Sequence, residues 1–200
     1  MHGLLALGDS YTFGEGVEPA DRWASQLVRR LQQHGVELPE PTIIARTGWT
    51  TDELANAIVQ APPAGDYQLA TLLIGVNDQY RGRTLQSFEA GFAALLDRAV
   101  GFASGDPARV IALSIPDWGL TPFAEGRDQP AIAEQIDTFN AAARARARQV
   151  GASWMDVTES SRAMGTLPAL VAADGLHPSA ELYRRWAEML LPLARRILAR

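Results

Sequence analysis

The sequence predicts a three-layer α/β sandwich, a parallel sheet of five strands with helices on both faces. Three observations predict it. Short apolar runs alternate with longer amphipathic stretches in the order βαβαβαβαβα. The connections are long enough to carry crossovers between parallel strands. Runs such as LATLLIG are apolar along their whole length, as strands covered on both faces must be.

Each element has its own signal. Strands are expected at 4–7, 42–45, 69–74, 110–114 and 153–157. After the first strand, Trp23, Leu27 and Leu31 step by four and mark one helical face. After the second, Thr50-Thr51-Asp52-Glu53 precedes Leu54, the pattern of a capping box that opens a helix. Phe88, Phe92, Leu95, Leu96 and Ala99 share a face in the next helix, as do Ile132, Ile136, Phe139 and Ala143 in the one after. The last helix gathers Leu182, Trp186, Met189, Leu190, Leu193 and Ile197, and Pro178 suits its first turn. That stripe fits packing on the sheet and equally on a second copy, so the oligomeric state stays open. Irregular stretches fall at 11–20, 75–83, 115–129 and 158–178. With no repeat, low-complexity segment or linker, a single domain spanning 1–200 is expected.

Composition narrows the chemistry. The 47% hydrophobic and 20% charged content is that of an ordinary soluble globular protein. No apolar run reaches the ~18 residues that cross a bilayer, and no secretory signal is visible, so a cytoplasmic protein without stable membrane insertion is expected. A net charge of −5 gives no reason to expect nucleic acid. The absence of cysteine excludes disulfides, thiolate nucleophiles and cysteine metal sites. The absence of lysine excludes Schiff-base chemistry and a phosphate-loop lysine. Histidine occurs only as His2, His34 and His177.

In such a sheet, ligands bind outside the carboxyl ends of the strands. GDS, RTGWTT, GVNDQYRG, IPDWG and ADGLHPS follow the five strands in turn. This edge offers the roles that serine hydrolysis requires: a nucleophile, an imidazole base, an acid that orients the base, and oxyanion donors. The candidates are Ser10, His177, Asp174, and the pair Gly48 and Asn77. Asp174 and His177 stand three apart in a glycine- and proline-containing turn, within reach of one another. Each fragment alone also has a plain structural role. GDS and Asn77-Asp78 suit helix caps or turns, Gly48 a loop, and DGLHP a tight turn with a surface histidine. His2 and His34 are expected at the chain end and at a solvated helix end. What favours catalysis is that all four blocks fall at carboxyl-side loops and include the one well-placed histidine. Asp174 and His177 could be two metal ligands, but the sequence offers no histidine or cysteine near them as a third.

These blocks, Gly8-Asp9-Ser10, Gly48, Gly75-Val76-Asn77-Asp78 and Asp174-Gly175-Leu176-His177, stand in the order of the SGNH (GDSL-type) hydrolases, which the chain resembles from residue 4 to the last helix. The resemblance implies a flavodoxin-like sandwich with strand order 2-1-3-4-5. It also implies Ser10 as nucleophile, His177 as base, and Asp174 as its orienter. The Ser10 and Gly48 N–H groups and the Asn77 side chain would then form the oxyanion hole. The Gly-x-Ser-x-Gly elbow of the α/β-hydrolases is not met, because Thr12 occupies the second glycine position. The implied activity is cofactor-free hydrolysis of small carboxylic esters through an acyl-serine. An acyltransferase or a carbohydrate O-deacetylase would use the same residues, and a flavodoxin-like binding module would use none of them. Trp49, Trp118, Leu120, Pro122 and Phe123 lie in the edge loops as a candidate apolar groove or as loop anchors. Arg46, Arg81, Arg83 and Arg127 lie there too, for an anionic substrate group or for ion pairs. Short loops without an obvious lid point to short acyl chains.

Overall fold

A computed structural model describes residues 2–199. Five strands, β1 (His2–Gly8), β2 (Thr42–Ala45), β3 (Tyr67–Leu73), β4 (Val110–Leu113) and β5 (Ser153–Met155), form one sheet. All pairs are parallel and the order is β2-β1-β3-β4-β5, as the resemblance implies. The central strands β1, β3 and β4 are buried, whereas the edge strands β2 and β5 are half-buried. Gly8 lies opposite Ala45 on one side and Leu73 on the other. Three polar loops therefore leave the sheet at one level.

The helices form the outer layers. Helices α1 (Ser10–Phe13), α2 (Trp23–Gln33), α3 (Thr51–Gln60), α4 (Val76–Tyr80), α5 (Leu85–Phe102), α6 (Gln129–Val150), α7 (Thr158–Arg162) and α8 (Ala180–Leu198) follow in chain order. One face of the sheet carries α2 packed on α8, and the other carries α3, α5 and α6. The expected stripes Trp23/Leu27/Leu31, Phe88/Phe92/Leu95/Leu96/Ala99 and Ile132/Ile136/Phe139/Ala143 are buried. In α8 the stripe differs from the expectation. Met189 is exposed and Leu193 half-buried, while Tyr183, Ala187 and Ala194 complete the buried face. Met189 sits one residue, about 100°, round the helix from Leu190 and so falls on the flank.

Two expectations about local structure are corrected. Pro178 does not open α8. The Ser179 hydroxyl accepts from Leu182 N–H and caps the helix, while Pro178 pairs with Val171 in an antiparallel bridge. The stretches expected to be irregular contain the short helices α1, α4 and α7, too brief to show a 3.6-residue period. The capping box at α3 forms as expected, with Thr50 N–H donating to Glu53 at 2.9 Å. No helix among the described residues is long and apolar enough to cross a membrane.

Candidate active site

The site begins where β1 turns into α1. A Cβ on Gly8 would overlap the Leu73 carbonyl and the Thr12 hydroxyl, so only glycine lets β1 pass this close. Asp9 caps α1, accepting from Tyr11 N–H at 3.0 Å. Ser10 thus becomes the first residue of the helix, at the carboxyl edge of the sheet. The Asp9 carboxyl is fully buried and, among the described residues, its second oxygen has no well-formed hydrogen bond. Burial, opposed by the Tyr11 N–H and reinforced by the charge of Asp78, pushes its pKa up to about 8.

Ser10, Gly48, Asn77 and His177 line a single cavity of about 150 Å³ with Tyr11, Thr47, Val76, Tyr80, Trp118, Phe123 and Leu176. Asp174 stands behind His177. Its Oδ2 lies 2.6 Å from His177 Nδ1, and its Oδ1 accepts from the N–H groups of Leu176 and His177 at 2.9 and 3.0 Å. Burial works to raise the Asp174 pKa, but the His177 ring and the two backbone donors outweigh it and hold it below the ordinary carboxylate range. With Nδ1 on the carboxylate, Nε2 is the ring nitrogen left for other work. The ring also packs edge-on against Tyr11, at 5.6 Å between centroids. The loop is braced by Ala172 N–H on the His177 carbonyl and Ser179 N–H on the Leu170 carbonyl, each 2.8 Å.

Gly48 sits in a turn with φ +87, a conformation that favours glycine. Helix α4 and its C-cap fasten this loop at successive points. Asn77 Nδ2 donates to the Trp49 carbonyl at 2.9 Å and Arg81 Nη2 to the Gly48 carbonyl at 2.6 Å. The buried Asp78 carboxylate takes Thr51 N–H at 3.0 Å and the Thr51 hydroxyl at 2.8 Å. One Asn77 amide hydrogen is thereby committed to Trp49, which leaves the other for the cavity. Gly75, at the start of α4 with φ +126, has no room for a Cβ beside the Phe88 ring.

Of the aromatic candidates, Trp118 and Phe123 line the cavity. Leu120 and Pro122 line a neighbouring groove, and Trp49 packs half-buried on the core. Tyr11, Thr47 and Tyr80 also line the cavity and take no role from the sequence, and Val76 and Leu176 stand there only as members of their blocks. Val76 and Tyr80, four apart on α4, share the only helical spacing that could have hinted at it. The arginines divide. Arg81 pairs with Glu53 at 3.3 Å, Arg83 with Asp52 at 2.5 Å, and Arg46 is exposed. Arg127 has its guanidinium carbon 5.0–5.5 Å from the ring centres of Phe123, Tyr80 and Trp118. His34 ends α2 in solvent, and exposed His2 lies against the Tyr67 ring.

This sheet order, with a cavity at the carboxyl ends of its strands, defines the flavodoxin-like α/β fold of the SGNH hydrolases. The chain belongs to the GDSL-like lipase/acylhydrolase family, whose model matches residues 6–185, and it is a carboxylic ester hydrolase. Solved structures share the fold at low identity. TesA is 22% identical, with a TM-score of 0.73 over 98% of this chain and 99% of its own. The psychrotrophic esterase EstA from Pseudoalteromonas sp., inhibited by monoethylphosphonate, is 15% identical, with a TM-score of 0.70 over the full length of both chains. The R55A mutant of Axe2, an acetyl-xylooligosaccharide esterase from Geobacillus Stearmophilus, is 19% identical, with a TM-score of 0.73 over 100% of this chain and 94% of its own. No curated protein matches the sequence.

Proposed function

We propose that residues 1–200 act as one catalytic domain that hydrolyses small esters of short to medium acyl chains through an acyl-serine intermediate. The observation that carries this reading is the 2.6 Å contact of Asp174 with His177 Nδ1, on a histidine that shares its cavity with Ser10. His177 Nε2 takes the Ser10 proton as Oγ bonds to the ester carbonyl carbon. The resulting oxyanion is held by the N–H groups of Ser10 and Gly48 and by the free amide hydrogen of Asn77. The imidazolium, its charge offset by Asp174, returns the proton to the departing alkoxide and frees the alcohol. A water then gives its proton to His177 and its oxygen to the acyl carbon, and Ser10 leaves reprotonated. The reaction needs no cofactor.

Cavity size supports the acyl range. About 150 Å³ with mainly apolar walls is on the order of the space that accommodates benzene. Val76, Trp118, Phe123 and Leu176 give an acyl chain a surface that sheds water. Axe2 acts on acetyl esters of xylooligosaccharides, which belong to the short end of the same range.

The test is Ser10→Ala. Hydrolysis of p-nitrophenyl butyrate should be lost with the melting temperature unchanged, and a phosphonate ester should label the wild-type chain on Ser10 alone. Full activity of the variant would overturn the mechanism.

A further inference from the structure

The aromatic wall of the cavity carries a charge that the ester chemistry does not use. Tyr80, Trp118 and Phe123 pack with centroids 5.4–6.2 Å apart, and Trp118 is anchored by its indole N–H on Gln79 at 2.9 Å. The Arg127 guanidinium lies against all three rings, with its carbon 5.0 Å from the centre of Phe123 and 5.5 Å from the other two. Rings against a guanidinium hold its plane by cation–π attraction but do not cancel its charge. Its N–H edges stay available, and among the described residues their one polar contact is a long bond to the Tyr80 hydroxyl at 3.5 Å.

The surrounding arginines contrast with it. Arg81, Arg83 and Arg162 all meet carboxylates. Arg127 forms no ion pair among the described residues, although Glu125 and Asp128 flank it in sequence. The Asp128 carboxylate instead caps α6 through Ala131 N–H at 3.0 Å. The position of Arg127 gives the free charge a use. It lines an open groove of about 750 Å³ with Leu120, Pro122, Met164 and Val171, and Glu125 lines the same groove without an ion pair to it among the described residues. Cavity and groove are lined by neighbouring residues, Phe123 and Leu176 in the one and Pro122 and Gly175 in the other, and Phe123 N–H donates to the Gly175 carbonyl at 3.0 Å. A substrate too long for the cavity would have to pass over Phe123 toward this groove and the guanidinium.

We propose that Arg127 is an anion-binding subsite, and that the preferred substrates are esters carrying a carboxylate or phosphate some atoms from the ester carbonyl. The planar fork of an arginine fixed against rings matches the paired oxygens of such a group. This specificity rests on the serine-esterase reading above.

The experiment uses two matched substrate pairs on the full chain. One pair places the anion on the acyl side, mono-p-nitrophenyl glutarate against p-nitrophenyl pentanoate. The other places it on the alcohol side, 1-butanoylglycerol 3-phosphate against 1-butanoylglycerol. The expected result is a kcat/KM about tenfold or more higher for the anionic member of one pair at low salt. The preference should shrink at about 0.5 M NaCl. Arg127→Gln should abolish it and Arg127→Lys should keep part of it. Which pair responds tells acyl-side from alcohol-side recognition. Absence of a preference in both pairs, its survival in Arg127→Gln, or an equal loss on both members of a pair would each overturn the subsite. Failure of the underlying reading has a separate signature, because neutral-ester hydrolysis would then persist in Ser10→Ala.

Discussion

Asp174 and His177 show how far single residues can be read without a structure. Three residues apart in a turn, they can meet through local geometry alone, and the 2.6 Å contact is the outcome. The other partners of the site are different. Asn77 finds the Trp49 carbonyl across 28 residues, a contact that depends on the register of β1 with β2 and β3. Nothing near Asn77 in the sequence names its partner. The Asp174 carboxylate accepts three bonds, from the His177 ring and two backbone N–H groups, and this predicts the behaviour of Asp174→Asn. An amide cannot accept at both positions, and its NH₂ turned to Nδ1 would favour the tautomer that leaves Nε2 protonated. A base in the wrong tautomer costs kcat a factor on the order of 10⁴ in sites of this logic. Steady-state kinetics with p-nitrophenyl butyrate, beside a melting curve that shows an intact fold, measure it. A loss of less than about tenfold would remove Asp174 from its assigned role.

At the scale of elements, the amphipathic helices and buried strands were legible because their periods repeat over several turns or pleats. Short elements were not. Helix α4 has five residues, a single four-residue step from Val76 to Tyr80 that is too short to read as a period, and yet it fastens the loop beside the cavity. Asn77 and Asp78, with Arg81 just beyond, grip the loop after β2 at Trp49, Thr51 and Gly48. Such a clamp matters if the Gly48 N–H serves the oxyanion, since the N–H and the carbonyl of Gly48 lie on the two peptide planes that meet at its Cα, and holding the carbonyl restrains the φ, ψ pair that relates them. Arg81→Ala should therefore lower kcat by about tenfold to a hundredfold, with KM nearly constant. Arg81→Lys, which can still reach a carbonyl, should recover part of the loss. The paired control is Gly48→Ala. If it lowers kcat and Arg81→Ala does not, the clamp is unnecessary. If neither lowers kcat, the Gly48 donor itself is misassigned. A drop in melting temperature with kcat unchanged would make Arg81 an ordinary surface ion pair with Glu53, worth little in exposed solvent.

For the whole molecule, hydrophobic patterning specifies a parallel sheet covered on both faces but does not order its strands. That order came from the resemblance, because inter-strand pairing has no local signature. The patterning is equally silent on the cost of the site, which falls on folding stability through Asp9. The carboxyl that caps α1 is sealed inside the core, one of its oxygens without a well-formed hydrogen bond among the described residues, and burial lifts its pKa to about 8. In the unfolded chain an aspartate titrates near 4, at roughly 3.9. Between about pH 4 and pH 8 the folded protein thus keeps a proton that the unfolded chain releases. Stability falls where the native state binds the extra proton, so Asp9 makes the fold weaken as pH rises across that window and level off above it. One retained proton contributes at most about 1.4 kcal/mol per pH unit. Asp174 acts with the opposite sign. Its lowered pKa gives stability that is present above the unfolded value and is lost as pH falls through the folded one. Asp9→Asn keeps the capping oxygen for Tyr11 N–H and cannot ionise. Its stability, from urea unfolding at intervals from pH 4.5 to pH 9, should decline less steeply than wild type up to about pH 8 and run parallel above it. Curves parallel throughout would mean that Asp9 is ionised in the native core. The turn that carries Ser10 would then hold a buried negative charge rather than a neutral acid.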